Sequence, residues 1–433
     1  MSGWRNWAGS VSCSPAEVQH ADTAEGVADA VRRAASRGLP VRVAGSGHSF
    51  TPLVATDGLL LHVDALSGVV GVDRERQRVR VLAGTPLHVL NPALQALGLA
   101  LPNLGDIDRQ TISGAIATGT HGTGTRRQGI AAAVSGLTLV LADGSTLACS
   151  AEEEPAVFDA ARVSLGALGV VTEVELQCVP AYRLHARESG HSLSELLETL
   201  QDDADAHDHL DLLWFPHTDR VLVKRNDVAA PGDGPPALPA WRARLEDDLL
   251  ANRVFELVNR VGTAVPSAVP RINRLSARLL SSREFTDDSW RVFCSSRDVR
   301  FVESEYAVPR RSVEAVLAEL RAWFDRSRAA VPFPVEVRFT GADDVWLSTA
   351  YERDNAYVAV HQYHRADPGP LFAAFEAIVA EHAGRPHWGK VHSLDADRLR
   401  GLYPRFDDFR SVRERLDPER RFTNEHLRYV LGD

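Results

Sequence analysis

A loop at 45–50, Gly45-Ser46-Gly47-His48-Ser49-Phe50, dictates how the chain around it must be built. It follows a short apolar run at 39–44, which itself follows an amphipathic stretch. Gly45 and Gly47 carry no Cβ, so the backbone can turn sharply there and come close to a ligand. Consecutive N–H groups in such a turn form an anion-binding hollow. His48 stands at its rim. A second stretch at 113–124, SGAIATGTHGTG, repeats the design. Gly-Ser-Gly alone is commonly only a turn. The two loops together imply one large phosphate-bearing cofactor, with His48 as its attachment point. A nicotinamide-dinucleotide fingerprint is excluded, because its third glycine would fall on Phe50 and no helix opens there. A P-loop is excluded because no Gly-Lys-Ser/Thr follows.

At 433 residues the chain is expected to hold two or three domains. An apolar fraction of 44% and a charged fraction of 24% are those of a soluble globular protein. A net charge of −10 argues against nucleic acid as a partner. No apolar run approaches the ~20 residues of a membrane span. The start, MSGWRNWAGS, lacks a basic region followed by an apolar run, so no secretory signal is expected. Cys13, Cys149, Cys178 and Cys294 are scattered without a C-x-x-C, which fits a reducing, cytoplasmic location. Only Lys224 and Lys390 are lysines among 48 cationic residues. Where arginine is the default, a lysine marks a place that needs a compact ammonium. Lys224 reads as part of an ordinary polar strand; Lys390, in His387-Trp388-Gly389-Lys390, does not.

Val27, Ala30, Val31 and Ala34 follow i, i+3, i+4, i+7 and predict a helix over 24–37, ended by Gly38. Strands are expected at 59–63, and a hairpin at 69–72 and 78–82. Thr85 as N-cap and Pro86 as first residue begin a helix that runs to about 97. Asp143-Gly144 between 137–141 and 146–149 is a hairpin signal, and 169–176 is a further strand. Beyond it, 210–216 and 221–225 suggest paired strands, and the Pro/Gly-rich run 227–240 a linker. Helices are expected at 243–260 and 311–327, strands at 335–339 and 357–363, and a helical tail from about 395 with a break at Pro404.

The sequence resembles the sugar-lactone and alditol oxidases of the vanillyl-alcohol-oxidase superfamily of flavoproteins. Within them it is similar to the bacterial gulono-1,4-lactone and arabinono-1,4-lactone oxidases or dehydrogenases. The carriers are GSGHSF at 45–50, LPNLGDID at 101–108, SGAIATGTHGTG at 113–124, SLGALGVVTEVEL at 164–176, EVR at 336–338, RPHWGK at 385–390 and LDPERRFTN at 416–424. Each is modest alone; all seven in this order are specific, and they cover nearly the whole chain.

The resemblance implies an α+β fold. A two-subdomain FAD-binding domain is expected at 1–181 and an α+β substrate (cap) domain with a large antiparallel sheet at 182–384. Residues 385–433 would return to the first domain. The cofactor would be FAD. Val43, Ala44, Gly45, Ser46, Gly47, His48 and Ser49, with Thr118, Gly119, Thr120 and His121, would wrap its pyrophosphate and isoalloxazine. Thr111, Gly114, Val170 and Val171 would add contacts. His48 matches the histidine that carries the flavin covalently in several members. No cysteine lies between Cys13 and Cys149, so a second covalent link is not expected. From the residues alone, His121 reads as a structural hydrogen bond to its own loop.

Glu336 and Arg338, at i and i+2 on an expected strand, point to one face. A carboxylate beside a guanidinium suits a polyhydroxylated substrate. From the residues alone, the pair is equally an exposed ion pair of little energetic weight; the resemblance puts it in the substrate pocket. The resemblance also sets Lys390 near the flavin, where a cation stabilises developing negative charge. Gly105 matches a position that admits dioxygen to the flavin. Asp106 and Tyr363 stand where alditol oxidases have serine and threonine, which turns the reading toward a cyclic aldonolactone. The implied reaction removes hydride to flavin N5 from the carbon bearing the hydroxyl next to the lactone carbonyl. Electrons then pass to O₂, giving hydrogen peroxide, or to another acceptor. The alternative is an alditol oxidase acting on a primary alcohol of xylitol or sorbitol. No metal is expected. His361 and His364 fall on opposite strand faces, and His382, His387 and His392 recur at a spacing of five that keeps no helical face. A non-catalytic sugar-binding protein using the eight tryptophans is a further reading.

Overall fold

The computed structural model describes every residue except 1–2, 231, 233, 240–252, 279, 281, 296 and 433. After a short antiparallel pair, Trp4–Arg5 with Ser12–Cys13, comes a small parallel sheet, with Leu59–His62 between Glu17–His20 and Val41–Ala44. The helix Ala24–Ser36 connects its outer strands and buries Val27, Ala28, Ala30, Val31 and Ala34 against it. Its start is fixed by Thr23, whose side chain accepts from Gly26 N at 3.0 Å. A five-stranded antiparallel sheet follows, in the order Thr146–Ser150, Val134–Val140, Val170–Gln177, Arg78–Leu82, Val69–Asp73. Both expected hairpins are present in it.

The largest sheet has eight strands. Its order is Arg283–Asp288, Arg183–Ser192, Arg220–Val228, His209–Trp214, Val335–Thr340, Asn355–Tyr363, Phe301–Pro309 and Arg385–Pro386, all antiparallel. The helices Leu193–Ala206, Val313–Ser327 and Gly369–Ala380 accompany it. Phe301–Pro309 and Asn355–Tyr363 are almost wholly buried, so polar side chains within them must find partners.

The helix expected from Thr85 is Leu87–Ala96, and Thr85 does not cap it. The Thr85 hydroxyl donates to Leu82 O at 2.6 Å and accepts from Gly68 N at 2.9 Å. The first helical N–H groups go to backbone instead: Leu87 N to Gln110 O and His88 N to Asp108 O. With those donors satisfied, no side-chain cap is required. Most of the helix expected at 243–260 lies outside the described residues; the described helix is Phe255–Ala264.

The tail returns to the beginning. Ala396–Leu402 and Phe406–Leu416 flank Pro404. The Asp417 carboxylate accepts from Arg421 N at 2.6 Å and Phe422 N at 2.8 Å, which folds Phe422 into the core of the parallel sheet. Val41 N donates to Arg421 O at 2.8 Å. Asn424 Nδ2 reaches Pro52 O and Ala55 O, each at 2.8 Å, while its Oδ1 caps the helix Glu425–Leu431.

Candidate active site

Two adjoining cavities share His48, Ser49, Gln110 and Thr118. The first is a groove lined by Val43, Gly45 to Ser49, Thr111, Gly114, Thr118 and Val171. The second is a chamber lined by Gly105, Asp106, Thr120, His121, Glu336, Arg338 and Lys390. Three expected cofactor residues line neither: Ala44 and Val170 are buried in strands, and Gly119 sits in a left-handed turn behind the loop.

The groove fits a phosphate-bearing cofactor on its own geometry. A Cβ on Gly45 would come within 2.8 Å of Thr111 Oγ1, and one on Gly114 within 2.9 Å of the same atom. Gly47 has φ +70°, open to glycine at no strain. The N–H groups of Ser46, Gly47, His48 and Ser49 have no acceptor among the described residues, which leaves a row of donors for an anion. Arg42, which the sequence did not single out, holds the groove together from behind. Its buried guanidinium donates to Leu53 O and Leu165 O, each at 2.7 Å, and to Gly166 O at 2.8 Å. The His48 ring stacks on Trp7 at 5.4 Å and has no hydrogen-bond partner among the described residues. Burial, with the nearby charges of Lys390 and Arg109, lowers its pKa to about 4, so the imidazole is neutral at pH 7.

The chamber is floored by the large sheet. Alternation along Phe301–Pro309 sends Glu303 and Glu305 to one face, and along Val335–Thr340 it sends Glu336 and Arg338. Register then sets the neighbours. Glu303 faces His361, and Ala359 separates Glu305 from Glu336. The turn 387–391 lies along this floor, with His387 N bonded to Glu305 O and Val391 N to Glu303 O. It thereby delivers Lys390, whose ammonium binds Glu303 directly, sits 3.9 Å from Glu305 Oε2 and lies over the Phe50 ring at 5.3 Å. Burial works to lower the pKa of this lysine, but Glu303 and Glu305 outweigh it and raise the value. Phe50 N donates to Gly389 O at 2.7 Å, so this turn and the His48 loop are one unit.

Across the chamber stands a second cluster. Arg338 binds Glu336 directly and Asp106 Oδ1 at 3.2 Å; Arg297 binds the other Asp106 oxygen. Although burial works to raise the Asp106 pKa, Arg297 and Arg338 pull it well below the usual carboxylate range. Lys224 proves to be part of this system. On the sheet it lies between Glu188 and Asp211, and Asp211 Oδ1 is 3.9 Å from Arg338 Nε. That oxygen is buried without a hydrogen-bond partner. Burial first, and Glu336 second, push the Asp211 pKa up to about 7. Because this folded-state value exceeds that of an unfolded aspartate, the native state takes up a proton, and stability falls as pH rises toward 7. Asp211→Asn keeps the protonated shape. It should raise stability above wild type by about 2 kcal/mol at alkaline pH and change little in acid, as read from melting temperature against pH.

Tyr363 lies outside the chamber. It shares a strand face with His361 but sits at the strand's end, where its hydroxyl donates to Glu256 at 2.7 Å. The residue that this strand brings to the chamber is His361. His364 opens instead into an outer hollow, and His382 pairs with Glu319 at 2.8 Å. Ligand atoms of His121, Glu305 and His387 do converge within 4.8 Å. Gly389 N, however, donates to His387 Nδ1 at 3.1 Å, and burial lowers this ring's pKa to about 3. Its single proton therefore sits on Nε2, as a donor rather than a metal ligand. His121 bonds its own loop, with Nδ1 2.9 Å from Gly122 O, and also faces Glu305 at 3.3 Å and stacks on Tyr357. A Cβ on Gly105 would press on His121 O at 3.1 Å, so packing also requires that glycine.

A family model described as D-arabinono-1,4-lactone oxidase matches residues 174–430, and one described as an FAD binding domain matches residues 15–150. L-gulono-1,4-lactone dehydrogenase of Mycobacterium tuberculosis is 41% identical, over 99% of this chain and 99% of the relative. L-gulonolactone oxidase of Scyliorhinus torazame is 35% identical, over 98% of this chain and 97% of its own. Among solved structures, cholesterol oxidase from B. sterolicum superposes with a TM-score of 0.84, over 99% of this chain and 96% of that one. At 18% identity this speaks for the fold alone. The glycine-lined groove fits FAD, and with matches of this extent the chain belongs to the D-arabinono-1,4-lactone oxidase family of FAD-dependent oxidoreductases.

Proposed function

We propose that the enzyme oxidises a sugar 1,4-lactone of the L-gulono or D-arabinono type at the hydroxyl next to the lactone carbonyl. The observation that carries this reading is the chamber beside His48, where carboxylates and guanidiniums are held in fixed pairs facing Lys390. In this reading residues 1–181 hold the cofactor, 182–384 cover the substrate and 385–433 close the site. The relatives' names support the lactone class. The four free cysteines fit a reducing cytoplasm, and among the described residues no helix is long and apolar enough to cross a membrane.

FAD, once bound, supplies the two-electron acceptor, with O₂ or another compound as the final oxidant. The protein's own task is positioning and charge. Glu336, fixed by Arg338, accepts hydrogen bonds from substrate hydroxyls, while Arg338 and Arg297 donate. Asp106 orients both guanidiniums. Lys390, held charged by Glu303 and Glu305, faces the oxygen on which negative charge develops. His387 offers its Nε2–H as a further donor. Glu303, Glu305 and Glu336 are buried, which strengthens their charge interactions.

The test is anaerobic. Gulono-1,4-lactone or arabinono-1,4-lactone should bleach the flavin absorbance and xylitol should not; the reverse pattern would make this an alditol oxidase. Readmitting air then separates O₂ from other acceptors. The neutral, unpartnered His48 imidazole is suited to a covalent bond to the flavin. Acid-precipitated wild-type protein should therefore stay yellow, while His48→Ala should release all its flavin to the supernatant. A colourless wild-type pellet would show that the cofactor is held by the groove alone.

A further inference from the structure

We propose that His20, His62 and Asp64 form a binding site for a divalent transition-metal ion of the zinc class, which braces the sheet that carries the cofactor loop. Glu17–His20 and Leu59–His62 run parallel, and their register sets His20 directly beside His62. The two rings stack, with 4.6 Å between centroids and 11° between planes, so both imidazoles stand on one side of the sheet. Asp64, two residues beyond His62, brings its carboxylate to the same place, with Oδ1 3.3 Å from His20 Nδ1. One ring nitrogen of each histidine and one Asp64 oxygen lie within 4.8 Å of one another. No motif announces this cluster, because only the register of the sheet joins His20 to His62.

The donor set identifies the ion. Two neutral imidazoles and one carboxylate, with the fourth position left to water, are ligands that zinc takes. With bonds of about 2.0 Å, a tetrahedral ion spaces its ligand atoms about 3.3 Å apart. His20 and Asp64 already stand at that separation. Their side chains are 62% and 67% exposed, so small rotations bring in the His62 ring and solvent reaches the ion. Apart from the His20–Asp64 contact, the two rings have no hydrogen-bond partner among the described residues, so no other bond breaks to admit a metal. Calcium and magnesium ask for more oxygen ligands than one carboxylate supplies. An exposed His–Asp pair contributes little to stability by itself. An ion held by all three residues would instead tie two strand ends to the turn that follows. Those ends shape the groove: His62 pairs in register with Ala44, the residue before Gly45, and Val63 lines the groove itself. Ala21 N donates to His62 O at 2.9 Å, so the chain beyond His20 is bound to the same point.

The test uses flavin-loaded, tag-free protein, treated with a chelator and then titrated calorimetrically with Zn²⁺ at mildly alkaline pH, where imidazole is largely neutral. One ion should bind per chain, and the melting temperature, followed by flavin fluorescence, should rise by several degrees as Zn²⁺ saturates. Mg²⁺ should do neither. His20→Gln and Asp64→Asn should each raise the Zn²⁺ dissociation constant by at least about tenfold, the loss that even an outer partner of a metal ligand causes. Both side chains are exposed, so without metal the variants should melt as metal-free wild type does. His387→Gln, in the buried cluster with His121 and Glu305, should keep the ion. None of these readings involves the substrate, so they succeed or fail separately from the lactone reading. The proposal is overturned if wild type binds no Zn²⁺ with one-to-one saturation, if Mg²⁺ shifts melting equally, or if His20→Gln and Asp64→Asn bind as wild type does. Loss of the ion in His387→Gln alone would overturn it in favour of the buried cluster.

Discussion

Lys390→Met should lower kcat/KM for the lactone by about 10²–10³-fold and reduce stability by about 3 kcal/mol at neutral pH. Methionine fills the space but leaves Glu303 and Glu305 buried without their shared cation. Burial works to raise the pKa of Glu303, and Lys390 is the first of the groups that pull it back below the ordinary value; Glu305 is lowered chiefly by His121 and then by Lys390. Carboxylates with depressed values contribute stability above their unfolded pKa and lose it as pH falls through the folded value. The variant's deficit should thus be largest at neutral pH and shrink in acid, as measured by denaturant unfolding at both. Adding Glu303→Gln should restore part of the stability and none of the rate. If the rate returns with the stability, Lys390 serves the fold rather than the reaction.

Arg338→Leu should be at least as damaging. One guanidinium serves the half-buried Asp106 and the buried Glu336 and Asp211. Its removal should cost about 3–5 kcal/mol. It should also lower kcat/KM by about 10³-fold, most of it as raised KM, because the substrate's hydrogen-bonding frame loses its orientation. Arg338→Lys should recover stability better than activity. An ammonium restores charge but has no planar fork with which to hold Glu336 and Asp106 at once. Steady-state kinetics beside thermal unfolding decide this; equal recovery of both would argue that charge alone matters at this position.

What the sequence revealed of this site was local. Gly45, Gly47 and Gly114 announce themselves because the absence of a Cβ is visible residue by residue. Strand periodicity put Glu336 and Arg338 on one face and the scarcity of lysine marked Lys390, but only the resemblance set the three in the substrate pocket. The other half of the chamber is made by pairing between distant segments. His209–Trp214 lies beside Val335–Thr340, more than a hundred residues on, and only that register brings Asp211 to Arg338. Lys224 looked like an ordinary strand residue for the same reason. Glu303 and Glu305 did leave a signal, two acids at i and i+2 in the otherwise largely apolar run FVESEYAVP, which a buried strand tolerates only with partners. Tyr363 was expected in the pocket from the resemblance alone, and the position matched there falls at the end of the strand, where its hydroxyl goes to Glu256 instead. Thr85 was misread as a cap because the carbonyls that replace it come from Asp108 and Gln110.

The returning tail has a consequence for how the protein is made. The turn after His48 is held by Gly389, Trp388 and Asn424, and the strand before it by Arg421 and Phe422. Asn424 lies 372 residues beyond Pro52, whose carbonyl it holds. Early segments generally fold as they emerge, but this loop gains its partners only once the segment from residue 385 on has been made. A nascent chain stalled before residue 385 holds a parallel sheet without the partners that shape its loop.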